Sequence, residues 1–356
     1  MQHLVPLRRK GDIVTEHSDR ISSLHGAGGR IMAELLERLV LPRFAGRDSA
    51  RIDLAALDDG ATIPLPEGAS GDLVLTTDSH VVKPVFFPGG DIGRLAAAGT
   101  INDLAVMGAR PIALTFAAII EEGFPIADLE RILDSFACVL EEVGATVLCG
   151  DTKVMPRGDI DGIALNTTGV GLAASAISDA GLLPGDRILL TGSIGDHGMA
   201  LLAAREEFDL ETELRSDVAP LWPMLEPVVR TGAVHAMKDP TRGGLAAALN
   251  EMAQKSGTCI ELEEWTIPIR EAVHGLSELL GISPLEVANE GKALLAVSEG
   301  EADTILATLK RHPLGEQAAI VGSVTDEHPG RVILDTQVGG RRFLDMPLGD
   351  PVPRIC

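Results

Sequence analysis

The chain has 356 residues, 45% of them apolar and 23% charged, and a formal net charge of −22. This mix is typical of globular proteins, and at roughly 100–200 residues per domain the length favours two domains. The acidic charge argues against a nucleic-acid partner, because such binding depends on neutralising phosphates. The longest strongly apolar stretch, at 111–120, is far shorter than the roughly 20 residues of a membrane helix, so we expect a cytoplasmic protein without a membrane partner.

Hydrophobic periodicity and turn residues predict the elements of the first half. Residues 1–20 are polar and predict a flexible arm, and a glycine-rich segment at 26–29 precedes a helix at 31–40 that Pro42 should close. Residues 72–84 predict a strand, an acidic turn and a second strand. The next predicted elements are a helix at 91–107, a buried strand at 110–120, an amphipathic helix at 126–144, a strand at 145–154 that ends in a polar elbow, and a strand at 162–173.

An Ala- and Gly-rich stretch at 173–186 predicts a domain boundary, and a second set of helices and strands follows it. Several predicted strands are adjacent without a helix between them, which favours mixed-sheet α+β domains over a doubly wound sheet. After Leu348 the tail GDPVPRIC should be extended and mobile. The predicted elements are a strand at 187, a helix at 197–206, a strand at 234, a helix at 244–256, a strand at 259–263, a helix at 270–280 and a strand at 292–298.

Three aspartates in apolar surroundings are candidate metal ligands: Asp78, Asp103 and Asp151. We expect them in turns, two of them at the ends of apolar strands. Carboxylate oxygens suit Mg²⁺, which keeps several waters and bridges ATP phosphates. The alternative is that each is an ordinary turn or capping aspartate. Three in similar surroundings favour the metal site.

Two glycine-containing segments precede predicted helices and are candidate phosphate sites. Gly26, Gly28 and Gly29 allow close approach of the backbone, and the helix that follows offers free N–H groups; the alternative is a flexible loop. In the second segment, 239–244, Arg242 could clamp a phosphate with two hydrogen bonds, or the segment is a helix cap.

Several other side chains have both a chemical and a structural interpretation. Lys153 could contact a phosphate or form a surface salt bridge, and Glu290 lies either in a tight turn or with its carboxylate in a cleft. The histidines lack metal-ligand spacing, so we expect surface or core histidines, with only His25 and His80 near the cleft. Cys138, Cys149 and Cys259 have apolar neighbours and should be buried, inert thiols, whereas Cys356 is the last residue.

A set of motifs resembles the HypE family of hydrogenase maturation factors. They are SLHGAGGRIMAELL, TTDSHVVKPVFFPGGDIGRLAAAGTINDLAVMGARP, IIEEGFP, CGDTKVMPRGDIDG, NTTGVG, DPTRGGLAAALNEMA, VANEGKALLAV and a terminal PRIC. The resemblance runs from about residue 20 to the C-terminus. The nucleotide motifs also fit the wider superfamily of aminoimidazole ribonucleotide synthetase and selenophosphate synthetase, but those relatives lack the Pro-Arg-Ile-Cys ending. Ala27 stands where the loop often has Gly or Ser.

The resemblance implies a two-domain fold and a homodimer. After the arm at 1–20, an N-terminal ATP-binding domain at 21–175 would form a barrel shared across the dimer. A C-terminal α/β domain at 176–347 would close over the nucleotide, followed by a mobile tail at 348–356.

The resemblance also implies a reaction. The carbamoyltransferase HypF would load a carbamoyl group onto Cys356, and this chain would use ATP to dehydrate the S-carboxamide to an S-cyanate. The cyano group would pass to iron held by a HypC–HypD complex, as a ligand of the [NiFe] hydrogenase centre.

The roles divide into metal binding, nucleotide binding and catalysis. Mg²⁺ would be held by Asp78, Asp103 and Asp151. Glu290 or Lys153 would manage the proton lost when the amide on Cys356 becomes a nitrile. The nucleotide would be held by Gly26, Gly28, Gly29, Asn102, Thr152, Asp239, Thr241 and Arg242.

Two alternatives stay open at this point. A selenophosphate synthetase would need a cysteine near the glycine loop, and residues 1–137 contain none. A non-catalytic scaffold that presents Cys356 to metal-assembly partners would not need the acidic residues and would not hydrolyse ATP.

Overall fold

The structure is a computed structural model that describes residues 21–27, 29–45, 50–65, 70–205, 213–352 and 355–356. The predicted arm at 1–20 and Gly28 lie outside the described residues. No helix within the described residues has both the length and the apolar character needed to cross a membrane.

The N-terminal half is built on a mixed five-stranded sheet with strand order β1-β2-β7-β5-β6, in which only the β5–β6 pair is parallel. A two-stranded ribbon, β3–β4, lies apart from it. The strands are β1 Ala61–Ile63, β2 Asp72–His80, β3 Phe86–Phe87, β4 Gly90–Asp91, β5 Arg110–Glu121, β6 Thr146–Met155 and β7 Ile163–Ala173. The helices are α1 Gly29–Leu35, α2 Leu41–Phe44, α3 Ile92–Val106 and α4 Ile126–Val143.

Helix α3 is the centre of this half and carries one candidate site residue. Asp91 caps its start by accepting hydrogen bonds from the N–H groups of Gly93 and Arg94. The helix is buried on nearly every side, since it packs both on the sheet and on α4. Helix α4 buries a single stripe, as its periodicity predicts, and ends at Gly144 in the left-handed conformation. Asp103 is thereby held on a rigid element.

The C-terminal half contains a seven-stranded mixed sheet with strand order β14-β13-β10-β12-β8-β11-β9. Together the two mixed sheets confirm the α+β prediction. The strands are β8 Arg187–Leu190, β9 Val234–Lys238, β10 Cys259–Glu263, β11 Leu294–Val297, β12 Ala319–Thr325, β13 Arg331–Asp335 and β14 Arg341–Phe343. The helices are α5 Asp196–Ala204, α6 Trp222–Val229, α7 Gly244–Ser256, α8 Glu271–Leu280 and α9 Ala302–Leu309.

The chain passes from one sheet to the other between Ala173 and Arg187, inside the segment that predicted a boundary. The domain limits at 175 and 347 stay predictions. In the C-terminal half, helices α6 and α9 and strands β12, β13 and β14 were not predicted.

Three local predictions were wrong. Pro42 does not end a helix: it lies in the first turn of α2, where a missing N–H costs nothing, after a π-helical segment at Leu36–Val40. Asp78 is not in a turn, because β2 runs on to His80, and Asp78 is paired opposite Thr167 of β7. Strand β6 likewise has no elbow and runs through Asp151 to Met155.

Strand β6 is an edge strand, and its side chains are exposed along almost the whole length. Leu148 is 73% exposed and Val154 is 65% exposed. Cys149 of this strand and Cys138 of α4 are also exposed, so only Cys259 is the buried thiol that was predicted for all three. The sheet therefore ends in an apolar edge that the described residues do not cover.

The end of the tail packs into the C-terminal half. Val352 and Ile355 are buried among core residues that include Met199, Val287 and Ala288. In the structure the end of the tail is buried. Its mobility stays a prediction.

We predict opposite stability changes for two Gly→Ala substitutions in helices. A Cβ at Gly93 would lie 2.1 Å from the carbonyl oxygen of Ile132, so Gly93→Ala should destabilise the α3–α4 contact by about 1–3 kcal/mol. Gly275 of α8 is exposed with nothing within 4 Å, so Gly275→Ala should stabilise by about 0.4–1 kcal/mol. Urea unfolding measures both. Stabilisation by Gly93→Ala would show that the helices are further apart than described.

Candidate functional site

A cavity of about 590 Å³ lies where the two halves meet. Its walls come from α1, β2 and α3 of the first half and from the end of β9 and helix α7 of the second half. Its polar and charged lining is Glu37, Asp58, Asp59, Thr76, Thr77, Asp78, Asp103, Lys238, Asp239, Thr241, Arg242, Glu251, Gln254, Lys255, Glu290 and Cys356. We call this space the cleft.

Carboxylates from both halves face each other in the cleft. Burial, and then repulsion by Asp239 and Asp78, raises the pKa of Asp103 well above its ordinary value. Burial also raises the pKa of Asp239 to about 6. Asp78 differs: although burial opposes the shift, a 3.3 Å contact with His80 Nε2 and the charge of Arg242 lower its pKa. The cleft thus concentrates negative charge that favours a proton or a cation.

The structure brings Asp78 and Asp103 together but leaves Asp151 elsewhere. Asp151 lies on β6, is largely exposed, and pairs with Lys153 at 3.2 Å. It does not line the cleft because the strand continues past it along the open edge of the sheet. Asp59 and Asp239 line the cleft in its place.

The donor set of the cleft fits Mg²⁺ bound together with a phosphate. Among the described residues, no group of three His, Cys, Asp or Glu side chains is already close enough to hold a metal ion. Mg²⁺ usually takes one or two carboxylates, several waters and phosphate oxygens, so a cage made only of protein ligands is not expected. Buried oxygen Oδ2 of Asp59 has no hydrogen-bond partner within the described chain and is available to a cation.

Among the described residues, Arg242 is one of three cationic side chains in the cleft, with Lys238 and Lys255. Its Nη1 donates to the carbonyl oxygen of Gly26 at 3.4 Å, across the junction of the two halves. Helix α7 begins just after it, through Gly243 and Gly244 with φ of +79° and +60°. Thr241 and Asp239 also line the cleft, and the phosphate contact of this segment stays a prediction.

The predicted glycine cradle is only partly in the cleft. Gly29 lines it and has φ of +68°, and a Cβ there would lie 2.5 Å from the carbonyl oxygen of Pro347. Gly29 is therefore required for close approach of the chain before the tail. Gly26 is exposed, and no described residue has an atom within 4 Å of its Cβ position.

Asn102 has a structural role that sequence reasoning did not foresee. Its side-chain amide donates to the carbonyl oxygens of Ala219 at 3.0 Å and Glu290 at 3.2 Å and accepts from the N–H of Leu221 at 2.8 Å. It does not line the cleft, and its nucleotide contact, like that of Thr152 on β6, stays a prediction. Asn102 instead ties α3 to the backbone that carries Glu290.

Cys356 and Glu290 lie in the same cleft. Burial raises the pKa of the Cys356 thiol far above its ordinary range, although Arg242 opposes the shift. Burial and the neighbouring Asp239, Asp78 and Asp217 raise the pKa of Glu290 well above its ordinary value. Buried oxygen Oε1 of Glu290 has no hydrogen-bond partner within the described residues. An acceptor is thus free beside the last residue of the chain.

Sequence reasoning missed the lysine that joins the two halves. The Nζ of Lys238 lies 2.6 Å from Asp59, 3.2 Å from Asp179 and 3.4 Å from Glu251. Lys255 also pairs with Asp179, at 2.7 Å. The available signal was Lys238 at the end of an apolar strand, directly before Asp239, because a lysine in such a position is rarely buried without a partner.

Comparison with known proteins assigns the family. The model of the AIR synthase related protein N-terminal domain matches residues 57–173, and that of the C-terminal domain matches 184–335. A Methanocaldococcus jannaschii protein named for hydrogenase expression and formation is 48% identical over 95% of this chain and all of its own length. Carbamoyl dehydratase HypE of Cupriavidus necator is 44% identical over 95% of both chains.

The chain belongs to the HypE family. Two solved HypE structures agree with the fold: a HypE–HypF complex, with a TM-score of 0.81 at 41% identity over 88% of this chain and 99% of that one, and HypE in complex with ATP, with a TM-score of 0.78 at 40% identity over 93% and 98%. The two-domain fold predicted from the HypE resemblance is confirmed. Because its close HypE relatives are carbamoyl dehydratases, the chain is an enzyme, and neither alternative is favoured.

Proposed function

We propose that this chain uses ATP to dehydrate an S-carboxamide on its own Cys356 to an S-cyanate, which supplies the cyanide ligands of the [NiFe]-hydrogenase iron. The observation that carries the proposal is the position of Cys356: the last residue of the chain lies in a cleft lined by carboxylates and Arg242. Family membership supports it, and a HypE relative has been solved with ATP.

The chemistry needs a better leaving group than an amide oxygen. Transfer of the γ-phosphoryl group to that oxygen gives ADP and a phosphorylated imidate, with one N–H proton lost. Breaking the C–O bond then releases phosphate, and loss of the second N–H proton leaves the nitrile on sulfur. Glu290 is placed to take an N–H proton, because its Oε1 is buried and has no hydrogen-bond partner among the described residues. Its raised pKa makes it a stronger base once it is ionised.

We assign the phosphates to the start of helix α7, with Arg242 and Thr241 and the loop of Gly26, Gly28 and Gly29. A helix N-terminus and an arginine both favour phosphate oxygens. Asp78, Asp103 and Asp239, with Asp59, would hold Mg²⁺, which would neutralise charge that develops on the transferred group. The raised pKa values of Asp103 and Asp239 support this, since a divalent cation would offset both the burial and the repulsion that raise them.

We propose that the protein is a homodimer formed on the open sheet of the N-terminal half. The exposed apolar side chains of edge strand β6 support this, because such an edge pairs readily with another copy. Asp151, Thr152 and Lys153 would then act from across the interface, since they do not line the cleft of their own chain.

The carbamoyl group would be loaded by a HypF-type carbamoyltransferase, and the cyano group would pass to a HypC–HypD complex, in the cytoplasm. A HypE relative has been solved in complex with HypF. The raised pKa of Cys356 supports loading with the tail out of the cleft, because the thiolate and not the thiol is the nucleophile.

The base assignment predicts a separation of two steps. Glu290→Gln should accept a carbamoyl group on Cys356 but dehydrate it about 10²–10⁴-fold more slowly, as is typical when a general base is lost. The mass of the C-terminal peptide in single turnover measures both steps. Glu278→Gln, at an exposed position of α8, is the matched control, and Cys356→Ala should carry no modification. Dehydration by Glu290→Gln at the parent rate would rule out Glu290 as the base.

The metal assignment predicts opposite effects on binding and stability. Asp103→Asn and Asp239→Asn should each weaken Mg²⁺-dependent ATP binding roughly tenfold or more, because a charged ligand is lost. Without ligand, the same variants should unfold at higher urea than the parent, because each removes a buried repelling charge. Calorimetric titration with and without Mg²⁺ measures binding, and exposed Asp134→Asn is the control. Unchanged Mg·ATP affinity would remove that aspartate from the metal site.

The dimer assignment predicts complementation between two inactive variants. Lys153→Ala and Glu290→Gln homodimers should both dehydrate slowly. When the two variants are mixed and re-associate at random, about half of the dimers contain one chain of each variant. If the groups come from different chains, each such dimer has one intact site of two, so the mixture should recover roughly a quarter of the parent activity. Asp151→Asn should behave like Lys153→Ala. Mixed dimers as slow as both homodimers would show that the groups act within one chain.

A further inference from the structure

His197 is a fully buried histidine that contacts the C-terminal tail. It lies in the first turn of α5, and its Nε2 is 2.8 Å from the carbonyl oxygen of Ile355. The edge-to-face contact with Phe87, whose ring centroid is 5.6 Å away, fixes the ring from the side. The sequence suggested only an ordinary surface or core histidine away from the cleft.

The hydrogen bonds around the ring determine which nitrogen carries the proton. Nδ1 of His197 lies 2.7 Å from the hydroxyl oxygen of Ser216. That oxygen already accepts from the N–H of Val218 at 3.1 Å, so the hydroxyl hydrogen is free to point at Nδ1. Burial lowers the pKa of His197 and favours the neutral ring. The proton therefore resides on Nε2, which donates to Ile355.

The Ile355 carbonyl precedes Cys356 directly, so this hydrogen bond acts one residue from the reacting sulfur. The Ile355 side chain is also held: a Cβ added at Gly198 would lie 3.0 Å from its Cδ1 and 2.4 Å from Cγ1 of Val287. The tail is attached further back as well, where Asp350 accepts from the N–H of Gly243 at 3.1 Å. Of these contacts, the one from His197 is nearest to Cys356.

We propose that His197 is a positioning residue that holds the C-terminal tail in register in the cleft by donating from Nε2 to the carbonyl oxygen of Ile355. Its part in dehydration rests on the proposed function. Its effect on tail position does not, because that contact joins His197 directly to the backbone of the tail.

The test measures tail position and chemistry separately. His197→Leu removes the donor and leaves a buried carbonyl unpaired, whereas His197→Gln keeps an N–H at a similar reach. The first readout is the alkylation rate of Cys356 by iodoacetamide without ATP, followed by peptide mass spectrometry. Exposed Cys138 and Cys149 and buried Cys259 serve as references in the same molecule. The second readout is single-turnover dehydration of the carbamoylated protein.

We expect His197→Leu to alkylate Cys356 roughly tenfold faster, a change that corresponds to about 1.4 kcal/mol. It should also dehydrate more slowly, yet accept the carbamoyl group at least as fast as the parent. In His197→Gln, the alkylation rate and the dehydration rate should both lie close to those of the parent. His235→Leu is the matched control, because that histidine pairs with Asp186 at 2.8 Å and does not contact the tail.

Three outcomes would overturn the proposal. The first is parental alkylation of Cys356 in a folded His197→Leu variant. The second is equal loss in the Gln and Leu variants, which would show that ring packing and not the N–H holds the tail. The third applies if the Leu variant does not fold: Ser216→Ala is then tested in its place, and alkylation of Cys356 at the parent rate in that variant would overturn the proposal. A parent that fails to dehydrate would contradict the proposed function and leave the alkylation result valid.

Discussion

The burial of like charges in one cleft is the constraint on which the rest of the structure depends. Asp59, Asp103 and Asp239 come from both halves of the chain, and burial, followed by repulsion from neighbouring carboxylates, raises the pKa of each. Burying an unpaired charge is costly, so the arrangement needs fixed cations. Lys238 supplies one, with ion pairs to Asp59 of the first half and Glu251 of the second. Lys238 therefore stabilises the junction, but the carboxylates of the cleft still outnumber its cations.

The same junction positions the reacting groups. Asn102 of α3 donates to the backbone carbonyl of Glu290, which belongs to the other half, and Arg242 donates back to Gly26. Relative movement of the two halves would displace the proposed base, phosphate site and metal ligands together. The cleft would thus couple nucleotide binding to the arrangement of the groups proposed to be catalytic. This coupling follows from the placement of the proposed active site between the two mixed sheets.

Local structure was predicted well from the sequence, and contacts between distant segments of the chain were predicted poorly. The buried stripe of α4 and the α+β class follow from periodicity, which needs only neighbouring residues. The turn at Asp78 was wrong because polar residues in β2 face a cleft formed by other segments. Cys149 and Asp151 were misplaced because β6 is apolar without being buried in its own chain, and no local pattern shows whether a strand lies at a sheet edge. Asp59 and His197 acquire partners only when distant segments meet.

A substrate attached to its own enzyme changes what the cleft must recognise. The tail needs no affinity to find the site, because its attachment already gives it a high effective concentration. Burial of Val352 and Ile355 alone could contribute about 1.5–3 kcal/mol each, so a much stronger hold would keep Cys356 from its partners. A single neutral hydrogen bond, worth about 0.5–1.5 kcal/mol, fixes the position of the tail in the cleft without preventing its release. His197 supplies that kind of contact, and its neutral ring does so without adding another buried charge to the cleft.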